Sequence, residues 1–124
     1  MWLVRLRWVA VLGQLLTCIA ATWAGALIPW GPLLSFLALT TATNALAQVR
    51  PHLFLPKAQE AACALLLGAD VVILSGMLWF AGGTANPFTV FYFLPLAMSS
   101  ILLPAPWAWS FLILVALGLS LIHI

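Results

Sequence analysis

Residues 8–49 read WVAVLGQLLTCIAATWAGALIPWGPLLSFLALTTATNALAQV, a stretch without a single Asp, Glu, Lys or Arg. Its length decides the fold. A bilayer core is crossed by about 20 apolar residues of helix, so this stretch holds two crossings if a turn divides it. Pro29-Trp30-Gly31-Pro32 is rich in the residues that punctuate helices, which predicts helices near 8–28 and 33–49. The rest of the chain agrees in kind: 66% of the 124 residues are hydrophobic and 5% charged, where water-soluble domains carry about 25% charged residues. Closed barrels also span membranes, but their strands alternate apolar and polar residues, and here the apolar runs are continuous. Four basic residues in all are too few and too scattered for a nucleic-acid footprint.

A hydrophilic break follows in Arg50, Pro51, His52, Pro56, Lys57 and Glu60. A third run extends from Ala61 to Phe80 and stops at Gly82-Gly83, residues that favour the left-handed ends of helices. A fourth begins at Pro87 and reaches Leu103, Pro104-Ala105-Pro106 reverses the chain, and a fifth runs from Trp107 to Ile124. The chain therefore reads as an all-α, polytopic transmembrane helical bundle with helices near 8–28, 33–49, 61–80, 87–103 and 107–124. The odd count predicts a sixth helix following this one. Ala24-Gly25-Ala26 and Leu15-Leu16-Thr17-Cys18 resemble export-processing sites, but the apolar run behind Arg7 exceeds the 7 to 15 residues typical of a signal core.

Lys and Arg mark cytoplasmic loops. Arg5 and Arg7 precede the first helix and Arg50 and Lys57 follow the second, so both clusters lie on one side and the N-terminus is expected in the cytoplasm, with the loop around Thr84 outside. Trp2, Trp8, Trp107 and Trp109 fall at predicted inner ends and Trp23, Trp30 and Trp79 at or near outer ends, as aromatic belts require.

Polar residues inside spans are the next signal. Thr40, Asn44 and Gln48 recur every four residues on one face of the second helix, which is expected to avoid lipid; Gln14 lies at a depth matching Asn44. Asp70 sits mid-span in the third helix, where a charge costs roughly 2.5 to 3.5 kcal/mol on insertion scales, so it is expected protonated and hydrogen-bonded, as a structural partner or a proton-handling group. Cys18 and Cys63 have neither metal-ligand nor paired redox spacing and read as apolar filler. No metal site and no catalytic constellation is present in the sequence.

The most informative stretch is Gly82-Gly83-Thr84-Ala85-Asn86-Pro87-Phe88. As a turn, it ends one helix on glycine, caps the next with Asn86 and places Pro87 where its missing N–H is no loss. As a binding site, the same capped helix start offers backbone N–H groups to a polar head, while Trp79, Phe80, Phe88, Phe91 and Tyr92 can wall an aromatic ring. A quinone has that shape.

Val4-Arg5-Leu6-Arg7-Trp8-Val9-Ala10-Val11-Leu12-Gly13-Gln14 resembles the start of the first helix of the RegB/PrrB family of redox-responsive sensor histidine kinases. The Asp70 helix followed by Gly-Gly-x-x-Asn-Pro-Phe is similar to that family's third helix and its quinone-binding outer loop, with Thr84 where the family usually has leucine. The resemblance implies a sensing domain in the bacterial inner membrane, in contact with lipid and the quinone pool. Ubiquinone would bind through Trp79, Gly82, Gly83, Asn86, Pro87, Phe88 and Tyr92, between the third and fourth helices. It further implies a homodimer, a cytoplasmic kinase core that uses ATP, and a cognate response regulator. None of that core is in this sequence: His52 and His123 lie in no phospho-acceptor motif and there is no glycine-rich ATP box. Pro95, which frees the carbonyl of Phe91, predicts a kink in the fourth helix. A small transporter or assembly subunit would show the same buried polar residues and kinks.

Overall fold

The structure is a computed structural model that describes residues 2–50 and 58–124; within them every regular element is helical. The α-helices are α1 (Trp2–Trp23), α2 (Trp30–Val49), α3 (Gln59–Phe80), α4 (Phe93–Leu102) and α5 (Ala105–His123), with 3-10 turns at Gly83–Ala85 and Pro87–Tyr92 between α3 and α4. Four of these, α1, α2, α3 and α5, are long and apolar enough to cross a membrane. α4 alone is too short, but it continues the 3-10 segment. At ~2.0 Å per 3-10 residue and ~1.5 Å per α residue, Pro87–Leu102 extends about 27 Å, close to the ~30 Å hydrocarbon core. Large apolar side chains such as Leu12, Leu16, Val72, Ile101 and Leu117 face outward, a defect in water and a requirement in lipid.

Two boundaries differ from the sequence reading. α1 begins at Trp2 rather than Trp8 and ends at Trp23 rather than Ile28. The early start follows because nothing in Trp2–Arg7 breaks a helix: Arg5 and Arg7 mark a change of solvent, not a change of backbone. The early end is a Schellman closure. Gly25 N–H donates to Thr22 O and Ala26 N–H to Ala21 O, both at 3.0 Å, with Gly25 at φ 84°. The second difference is Pro29-Trp30-Gly31-Pro32, which is the start of α2 rather than the reversal. A helix's first turn has no use for its N–H groups, so Pro32 is tolerated there. The reversal lies upstream, in residues 24–29. Pro51, His52, Pro56 and Lys57 of the expected hydrophilic loop lie outside the described residues.

The chain forms two compact units, Met1–Pro51 and His52–Ile124. In the first, α1 and α2 pack as an antiparallel hairpin through a polar seam near its open end. Arg7, only 4% exposed, donates from a guanidinium nitrogen to Thr43 Oγ1 at 3.0 Å, and Asn44, fully buried, donates from Nδ2 to Val4 O at 3.2 Å. Trp8 Nε1 donates to Gln48 Oε1 at 3.3 Å. The Thr40, Asn44, Gln48 row thus faces the partner helix over Asn44 and Gln48, while Thr40, also buried, donates back to Phe36 O. Gln14, half-buried in α1, takes no part in this seam among the bonds the structure describes.

In the second unit α3, α4 and α5 pack mutually. Leu67, Val71, Leu74 and Leu78 of α3 recur at spacings of four and three and are all buried, the single stripe that a helix presents to a core. Asp70 lies half-buried beside this stripe and is engaged by a partner. Cys18 and Cys63 are reduced and buried in their helices.

Candidate functional site

The turn between α3 and α4 is built by two glycines and one asparagine. Ala81 N–H closes α3 by donating to both Met77 O and Leu78 O at 3.1 Å. Gly82 at φ 105° and Gly83 at φ 68° then swing the chain through the left-handed region. Gly83 is needed twice over: a Cβ there would stand 2.8 Å from the Ile122 carbonyl oxygen, so the turn lies directly on the C-terminal end of α5. Asn86 clasps the two sides. Its Oδ1 accepts from Phe88 N–H at 2.9 Å, capping the segment Pro87–Tyr92, and its Nδ2 donates to Ala81 O at 2.6 Å. The cap read from sequence is therefore present, together with a backward bond that the sequence did not suggest.

Pro87–Tyr92 winds at three residues per turn, so side chains three apart eclipse one another. That puts Phe88 over Phe91, whose rings stack at 6.0 Å between centroids and 23° between planes. The same winding aligns Thr89 with Tyr92. Tyr92, 3% exposed, brings its hydroxyl to 2.7 Å from Ser75 Oγ of α3, and Gly118 of α5 closes on the pair, since a Cβ on Gly118 would lie 2.8 Å from Ser75 Oγ and 3.2 Å from the Tyr92 hydroxyl. Three helices thus meet on one hydroxyl pair. Pro95 falls in the first turn of α4, just after the change from 3-10 to α winding, so the expected mid-helix kink is replaced by that change of winding: at a helix start no α-type N–H bond is lost.

Two cavities among the described residues lie on the α4–α5 side. One of about 230 Å³ is lined by Thr89, Tyr92, Phe93, Leu96, Leu112, Val115, Ala116 and Leu119. A second of about 380 Å³ is lined by Phe93, Leu96, Ala97, Ser100, Ala108, Trp109 and Leu112. They share Phe93, Leu96 and Leu112, so they are successive parts of one apolar groove between α4 and α5; the larger part falls in the size range of small-molecule pockets, about 300–1,000 Å³, and the smaller just below it.

Of the residues the sequence singled out, Tyr92 lines this groove. Gly82, Gly83, Asn86 and Phe88 are tied into the turn at its head, and Trp79, 58% exposed, stands on the outer surface of α3. The side chain of Pro87 lies outside what the structure describes. Asp70 and Asn44 are placed in different units, Asp70 in α3 and Asn44 in the α1–α2 seam. Sequence reasoning passed over Ser75, Thr89 and Gly118. The signal for Gly118 was available: an isolated glycine inside an apolar helix marks close approach of a neighbour.

Among the described residues no cluster of His, Cys, Asp or Glu could hold a metal ion. No protein-family model, curated protein or solved structure gives a significant match to the chain.

Proposed function

We propose that this membrane domain senses the redox state of the quinone pool for a two-component histidine kinase, with a quinone head at the α3–α4 turn and its tail in the α4–α5 groove. The observation that carries the reading is the groove itself: it begins at Thr89 and Tyr92, three residues from the Asn86 clasp, and continues along apolar α4 and α5. An amphiphile with a compact aromatic head and a long greasy tail fits that profile, with most of its surface buried against hydrocarbon side chains. The likeness of the Gly82–Phe88 motif to the quinone loop of the RegB/PrrB family adds the class of ligand and the kinase output. The sequence reading set the quinone between the third and fourth helices with its tail in the bilayer; the reading proposed here sets the tail along the α4–α5 groove instead.

Signalling would follow from helix packing. A ligand lodged between α4 and α5 favours whichever arrangement of those helices accommodates it, and only that differential affinity can shift an equilibrium passed on to a kinase. With the N-terminus cytoplasmic, the turn faces the periplasm and the opposite end of α4 and α5 faces the kinase.

Photo-crosslinking of the full chain in bilayers with an azido-ubiquinone tests the site. Label is expected on peptides spanning residues 88–96 and 112–119 and is competed by excess ubiquinone. Label confined to α1 or α2, or uncompeted label, refutes it.

A further inference from the structure

Six residues are a long run of 3-10 helix, because the tighter winding has poorer hydrogen-bond geometry than the α-helix and seldom persists beyond about three or four. Pro87–Tyr92 keeps it throughout: Thr89 N–H donates to Asn86 O at 3.1 Å and Phe93 N–H to Val90 O, each three residues back. Two features oppose a change to α winding. The first is in the backbone. An α-ladder hands the Phe91 carbonyl to the N–H of residue 95, and Pro95 has none, whereas a 3-10 ladder hands it to residue 94. The second is a side chain. Ser75 donates its only hydroxyl proton to Val71 O at 2.7 Å, so the Tyr92 hydroxyl is the donor in its own 2.7 Å contact with Ser75. That bond ties the last 3-10 residue to α3, in a site that Gly118 of α5 closes.

We infer that Pro87–Tyr92 is a two-state segment, held in 3-10 winding by the missing N–H of Pro95 and latched there by the Tyr92–Ser75 bond, and that loss of the latch shifts it toward α-helix. The two windings give the groove different heads. Thr89 and Tyr92 line the same cavity, and three residues make one 3-10 turn. In an α-helix the same two positions diverge by roughly 60°, so they form one wall in the 3-10 winding only. Phe88 then neighbours Tyr92, four residues on, in place of Phe91, its stacked partner. A contact with α3 thereby controls the shape of a groove between α4 and α5. The inference concerns the chain by itself and does not depend on the quinone-pool reading.

Solid-state NMR of the full 124-residue chain in lipid bilayers reads the winding directly, since contacts from the Hα of residue i to the amide proton of i+2 mark 3-10 helix and contacts to i+4 mark α-helix. In the parent chain, Pro87–Tyr92 is expected to give the i+2 set alone. Tyr92→Phe, which keeps the ring and removes the hydroxyl, should bring up contacts from Phe88 to position 92 and from Thr89 to Phe93 beside the i+2 set. Pro95→Ala, which restores an N–H at position 95, should do the same, and the two substitutions together should abolish the i+2 set. Ser100→Ala, whose hydroxyl bonds within α4, should leave the parent pattern unchanged. An i+4 pattern in the parent chain, or an i+2 set that survives both substitutions, overturns the inference. If the Tyr92 variants do not fold, Pro95→Ala alone decides, and a parent-like pattern there overturns it as well.

Discussion

Gly118→Ala places one methyl group in the hydroxyl node where α3, the α3–α4 segment and α5 meet. The added carbon would stand 2.8 Å from Ser75 Oγ, 3.2 Å from the Tyr92 hydroxyl and 3.7 Å from Tyr92 Cε1. Neither neighbour can retreat cheaply: Tyr92 is buried, and Ser75 is bonded to Val71 O and to Tyr92. Overpacking of a close-packed site costs about 1–3 kcal/mol, and the Ser75–Tyr92 bond, worth about 0.5–1.5 kcal/mol, is strained or lost. Against this, alanine gains about 0.5–1 kcal/mol over glycine in a helix interior. The net expectation is a destabilisation of roughly 1–3 kcal/mol. Ser75→Ala removes the nearest atom, so it should cost about 1 kcal/mol by itself yet add little to Gly118→Ala. A coupling of about 1 kcal/mol or more between the two sites is the signature. Reversible unfolding in mixed micelles, followed by tryptophan fluorescence over the four combinations, measures it. If Gly118→Ala unfolds with the parent chain, or the two substitutions add independently, the three-helix node is not the contact described.

Asn86→Ala should loosen the α3–α4 turn by roughly 2 kcal/mol, one part from the cap and one from the bond to Ala81 O; Asn86→Asp keeps the capping oxygen and should fall between, both measured by amide exchange at Ala81–Tyr92. Asp70→Asn should insert and fold normally because the amide still hydrogen-bonds, and its collapse alongside a stable Asp70→Leu would show that the buried-acid reading is wrong, with helix content and protease resistance as the measure. Single cysteines at positions 84 and 57 should label from the periplasmic face at 84 and not at 57. The reverse pattern inverts the orientation.

Hydrophobicity alone made the helical membrane fold legible, and the glycine pair set the end of α3 at Phe80, where the structure has it. Asn86 was readable as a cap because a short polar side chain before proline has few other uses. The errors at α1 and α2 share one cause. Charge and proline were read as boundaries, but Arg7 is stabilised within the helix by a bond to Thr43, and Pro32 sits in a first turn where it breaks nothing. The 3-10 winding of Pro87–Tyr92 left no compositional mark, since its side chains suit an α-helix equally. The direction of the groove was not legible either, because it depends on Phe93 and Leu96 meeting Leu112 from a segment distant in sequence.

The change of winding between Tyr92 and Phe93 also gears two motions together. A 3-10 residue turns about 120° and rises ~2.0 Å; an α residue turns about 100° and rises ~1.5 Å. Rewinding the six residues Pro87–Tyr92 as α-helix would draw α4 toward the turn by about 3 Å and rotate it by roughly 120°. Because Asn86 anchors one end of that segment to α3, translation and rotation of α4 could not occur separately. The segment is a screw thread, and any axial displacement of Leu96 past Leu112 would bring a different face of α4 to the groove.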